Sequence, residues 1–258
     1  MLKPVCLLLA IFFTLPHLRA GAPDVTGSPS EPKLAGAWES TFPLPDGGTG
    51  KLLLLIQDGY FAMTSYTDTE FLATLGGKYR ADWETMSVTY DFDTSNPAGV
   101  GTKGSMPYEL IGNTLIFNGS KVWTRIDDNS GGKLAGAWLI TGRKVDGEMT
   151  RRPTSGPRKT MKILSGSRFQ WIAYNEETGE FFGTGGGRYT TTDNGNTQGL
   201  YTEHIDFFSR DNARVGDQLS FDWKMRNQEW HHSGQSSTGK PLYETWGRRK
   251  GESLVVSR

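Results

Sequence analysis

The chain has 258 residues, room for one large domain or two of ordinary size. Its 28 basic and 28 acidic side chains cancel, which excludes the broad basic field that nucleic acid or anionic lipid would require. Glycine is abundant at 33 and there are 8 tryptophans, while no long apolar helical period occurs, a composition that favours strands and tight turns.

In chain order, Lys3, the apolar run 5–15 and the small residues Ala20, Gly21 and Ala22 together predict a cleaved signal peptide over 1–22. The run is too short for a membrane span and nothing later is longer, so no transmembrane segment is expected in the mature chain. Cys6, the only cysteine, falls inside this segment. Export without disulfides suits a secreted or periplasmic protein of a bacterium. Residues 23–32, rich in Pro, Gly and Ser, read as a flexible linker.

"KLAGAW" then occurs twice, at 33–38 and 133–138. The match continues downstream in the same order. "GYFAMTSY" (59–66) answers "SRFQWIAY" (167–174), and "EFLATLGGKY" (70–79) answers "EFFGTGGGRY" (180–189). "VTYDF" (88–92) answers "EHIDF" (203–207), and "WTR" (123–125) answers "WGR" (246–248). Ordered matches at this period predict a tandem pair of domains, over 33–127 and 133–249, followed by a tail over 250–258.

Each copy divides into about eight short extended runs separated by turn residues. In the second copy these fall at 135–143, 158–165, 168–175, 180–191, 200–208, 218–226, 229–233 and 242–248. Leu219, Phe221, Trp223 and Met225 alternate with polar residues, as a strand with one buried face does. Sequential hairpin-linked strands predict up-and-down antiparallel barrels, which close and leave no sheet edge. The recurrent Gly76-Gly77 and Gly186-Gly187 are expected where a barrel wall bends.

Gly-x-Trp at the start of each copy, with Trp-x-Arg at its end, resembles the lipocalin, or calycin, family. The downstream string also resembles bacterial lipocalin-like proteins described as membrane or secreted proteins. The resemblance implies two tandem lipocalin-like barrels in an all-β chain. It also implies that Trp38 and Trp138 plug one end of each barrel, with Arg125 and Arg248 packed over them.

The repeat serves as an internal control. Met86, Val88, Tyr90 and Phe92 match Tyr201, Glu203, Ile205 and Phe207, and this face is expected to point inward in both copies. Glu203 then occupies a core position where the first copy has Val88. Glu244 shares a face with Trp246, and His204, His231 and His232 all lie in the second copy. A carboxylate inside a barrel must be hydrated, paired or neutral, so these residues predict either a polar core or a small-molecule site. The candidate lining is Trp171, Tyr174, Tyr201, Glu203, Trp223, His231 and Glu244.

The reading is a non-enzymatic binding module holding a small, partly apolar molecule in the second barrel. A hydrolase or isomerase using Glu203 and Glu244 is the first alternative. A protein–protein adaptor with filled barrels is the second. Adjacent His231 and His232 leave a sparse metal site at best, so no metal or other cofactor is expected. The Gly-rich 183–189 lacks the Lys-Ser/Thr ending of a phosphate loop. The basic 150–159 segment, between the first two strands of the second copy, reads as a plain solvated loop, the alternative being a barrel mouth that steers an anionic ligand.

Overall fold

The computed structural model describes residues 33–195 and 197–251; the expected signal peptide, the linker and residues 252–258 lie outside them. Eight strands form the first barrel: β1 (Gly36–Pro43), β2 (Thr49–Gln57), β3 (Tyr60–Tyr66), β4 (Phe71–Ala81), β5 (Thr85–Asp93), β6 (Lys103–Ile111), β7 (Thr114–Phe117) and β8 (Lys121–Asp127). Each pairs with its neighbour, and β8 returns to β1.

The second barrel contains β9 (Gly136–Val145), β11 (Arg158–Leu164), β12 (Arg168–Asn175), β13 (Phe181–Thr191), β14 (Gln198–Phe208), β15 (Gln218–Arg226), β16 (Glu229–Gln235) and β17 (Pro241–Arg248), with β17 closing on β9. A short extra strand, β10 (Glu148–Arg151), extends the β9 hairpin. The protein is thus all-β, with two closed eight-stranded antiparallel barrels in tandem. Part of the basic segment expected to be loop is this hairpin arm.

The repeated opening motif has a local physical cause. Trp38 and Trp138 are buried, and each indole N–H donates to the carbonyl four residues earlier, Leu34 or Leu134, at 2.9 Å. The Arg125 guanidinium lies 3.9 Å from the Trp38 ring and that of Arg248 lies 4.1 Å from Trp138, so each plug is capped by a cation on its face. The motif glycine makes this possible. A Cβ on Gly136 would sit 1.3 Å from Arg248 Nη1, at a φ of +142° that side chains rarely adopt.

The paired glycines create bulges, between Gly76 and Gly77 and between Gly186 and Gly187. Here the structure corrects the expected alternation. The bulge re-aims the end of the fifth strand, so Phe92 and Phe207 leave the barrel interiors and join an apolar cluster between the barrels.

That cluster unites Leu53, Leu55 and Ala62 with Met161, Ile163 and Ile172. At its centre Gln170 Nε2 donates to Thr74 and Thr184 at 3.0 Å each, two threonines at matching positions of the copies. The barrel ends are reciprocally tied. Asp127 accepts from the backbone of Gly166 at 2.9 Å and of Ser167 at 3.0 Å, and Asp58 accepts from Arg248 Nη1 and the Ala137 amide, both at 3.0 Å. Arg249 inserts between the barrels against Asp91, Tyr174 and Glu176.

Candidate functional site

The interior of the second barrel is where the copies diverge most. Strand register makes the comparison direct. Lys162 opposes Trp138 just as Leu54 opposes Trp38, so Lys162 stands where the first barrel has leucine. Equivalent pairings match Tyr201 to Met86, Phe221 to Met106, Trp230 to Leu115 and His232 to Phe117. With Val88 replaced by Glu203, an apolar interior has become a polar one.

Lys162 Nζ donates to Glu203 Oε1 at 2.9 Å, with both side chains 5% exposed. The ammonium lies 5.0 Å from the Trp230 ring, 5.1 Å from Tyr201 and 5.3 Å from Trp246, so aromatic faces surround the charge that Glu203 neutralises. His232 is buried against Phe221, ring centroids 4.2 Å apart, and its Nδ1 lies 3.7 Å from Glu244. Glu244 keeps 21% exposure and links the network to solvent.

Burial, then the Lys162 charge, pushes the His232 imidazole below its ordinary value. Burial alone would raise the Glu244 carboxyl, but His232 and Lys162 outweigh it and hold the group below its usual range. Burial and the neighbouring Glu203 push the Tyr201 phenol well up. Among the described residues the Trp230 indole N–H has no hydrogen-bond partner, while the Tyr201 hydroxyl faces Glu203 and the Trp246 indole and His232 ring face Glu244 without well-aligned hydrogen bonds; the first barrel's Trp123 indole, the match of Trp246, is likewise unpartnered. Such atoms are rare in folded interiors.

The candidate residues divide. Tyr201, Glu203, Trp223 and Glu244 belong to the second barrel's interior face, Trp223 donating its indole N–H to Thr192 O at 3.2 Å. Trp171 packs at the margin of this core, against Phe208 and under Arg210. Tyr174 is not part of it; it faces the other barrel and bonds Arg249. His231 also lies elsewhere, on the outer face, where its Nδ1 meets the Tyr243 hydroxyl at 2.7 Å. One residue of register puts His232 inside instead.

Lys162, missed in the sequence, is the central residue of the set. Among the described residues no group of three or more His, Cys, Asp or Glu side chains is arranged to hold a metal ion, and no helix is long and apolar enough to cross a membrane. No protein-family model and no curated protein matches the chain.

His232 gives the site a measurable pH signature. Its folded-state pKa lies below the ordinary 6.5, so on acidification the unfolded chain takes up this proton first. Its contribution to stability is present above about pH 6.5 and is lost as pH falls towards the depressed value, at a slope of at most about 1.4 kcal/mol per pH unit. Lys162, Glu203 and Glu244 face the same ring. Thermal unfolding followed between about pH 7.5 and about pH 5.5 will show a smaller midpoint change for His232→Phe, the residue type of the first barrel, than for the unaltered protein.

Proposed function

We propose that the protein is an extracytoplasmic, non-enzymatic binding module of the lipocalin-like kind, and that its second barrel holds a small polar ligand. The polar centre of Lys162, Glu203, His232 and Glu244, set where the first barrel has Leu54, Val88, Phe117 and Lys121, supports this reading. The first barrel, apolar at the matching positions except for Lys121 at the position of Glu244, is the structural partner. Aromatic side chains occupy much of the second interior, so the ligand is small, and the part-exposed Glu244 marks its approach. Catalysis by a Glu203–Glu244 pair is disfavoured because Glu203 is committed to Lys162.

The test is native mass spectrometry of protein gently purified from its own host. A retained small molecule is expected with the unaltered chain. It is absent from Lys162→Leu/Glu203→Val/His232→Phe, which restores first-barrel residue types. An unaltered protein that carries nothing, or a triple variant that retains the same mass, would overturn the reading.

A further inference from the structure

A second feature of the same barrel points to a different site. β9 pairs with β11 only over Gly136 to Leu139, then diverges to pair with β10, and residues 152–157 pass over the gap that results. Beneath them lies a cleft of about 260 Å³, lined by Leu139, Ile140 and Pro153 together with Arg152, Arg158 and Lys159. No acidic residue lines it.

The three cations are not equivalent. Lys159 is neutralised by Glu176 at 3.3 Å and donates to Thr154 O at 2.7 Å, which fastens the loop. Arg158 is held flat, its guanidinium 3.9 Å from the Phe182 ring. Neither the Arg152 nor the Arg158 guanidinium makes a hydrogen bond or ion pair with another described residue. Burial and then the neighbouring Arg143 hold Arg152 below its ordinary pKa, against the opposing pull of the Glu244 carboxylate. The first barrel has nothing comparable: its β1–β2 connection is a tight turn closed by Leu44 N to Gly48 O at 2.8 Å. The insertion that carries Arg152 is therefore specific to the second copy and barrel closure does not need it, and Arg158, the first residue of β11, stands where the first barrel has Gly50.

We propose that this cleft binds a small organic oxyanion, a carboxylate or phosphate ester on a compact apolar body. Arg152 and Arg158 grip the anionic group with planar, multidentate donors, and Leu139, Ile140 and Pro153 cover the remainder. The site shares only Ile140 with the barrel interior and does not rest on the interior ligand.

The experiment is a titration of the full chain with phenyl phosphate, benzoate and, as neutral control, benzyl alcohol at low ionic strength, followed by backbone amide shifts. Saturable binding of at least one anion, with shifts confined to 139–140 and 152–160, is expected, and none with the alcohol. Arg152→Gln and Arg158→Gln should each weaken binding about tenfold or more, the scale of a lost charged hydrogen bond. Arg226→Gln, outside the cleft, should leave it unchanged. Absence of saturation with both anions, equal binding of the alcohol, or unaltered affinity in both arginine variants would each overturn the proposal. The alcohol comparison uses the unaltered protein, so the result does not depend on the variants folding.

Discussion

Replacing Glu203 by valine alone will lower the unfolding free energy by about 3–5 kcal/mol, because it strands Lys162 as an unpaired charge inside the second barrel. The ammonium cannot reach water, since its side chain is 5% exposed, and the ring faces around it are weaker partners than a carboxylate. Adding Lys162→Leu to the same variant removes the stranded charge and returns both positions to the pair used by the first barrel, Leu54 and Val88. The double variant is expected within about 1–2 kcal/mol of the unaltered protein, or above it, as isosteric replacement of buried ion pairs often is. Urea denaturation of the single and double variants measures this directly. A double variant as damaged as the single one would show that Glu203 supports the barrel through contacts other than Lys162.

The second large effect is expected at Arg249. Its guanidinium, 7% exposed, meets Asp91 at 3.3 Å from one barrel and Glu176 at 3.4 Å from the other, and it covers the Tyr60 ring at 4.2 Å. Arg249→Met leaves Asp91 buried without its cation and is expected to cost about 3–5 kcal/mol at neutral pH. Burial already raises the Asp91 carboxyl against the pull of Arg249, so removing the arginine raises it further. A carboxyl with a raised folded-state pKa favours the folded chain below its unfolded pKa, and that contribution is lost as pH rises through the folded value. The deficit of Arg249→Met therefore shrinks on acidification. Denaturation curves at neutral and mildly acid pH will show the gap from the unaltered protein closing; a constant gap would assign the loss to packing.

Much of the fold is legible because its signals are local and duplicated. Strand alternation, turn residues and the matched Gly-x-Trp and Trp-x-Arg motifs place both barrels, and the Val88–Glu203 contrast places a carboxylate inside one. Lys162 was legible in principle. It lies opposite Trp138 as Leu54 lies opposite Trp38, but "KTMKIL" carries lysines on both faces of its strand and does not by itself say which is inside. His232 was exchanged for His231 because a single residue of register decides the face. Phe92 and Phe207 read as inward because a bulge reverses alternation without changing it in the sequence, whereas Tyr174, three residues from Trp171, falls on the opposite face by plain alternation. The barrel–barrel contact had one signal, the unbroken "LLLLI" of β2, since a strand apolar on both faces is buried on both.

The position of Arg249 also bears on the order in which the molecule is assembled. The first barrel, through Asp127, can close as soon as its own strands have left the ribosome. The cation paired with its Asp91, Arg249, is supplied only after β17 of the second barrel. A chain interrupted before that strand leaves β9 and β16 with open edges and the face between the barrels without its ionic bolt. Such a chain exposes the unpaired strands that draw aggregation and proteolysis. Addition of β17 and Arg249 therefore separates a closed two-barrel body from an open one.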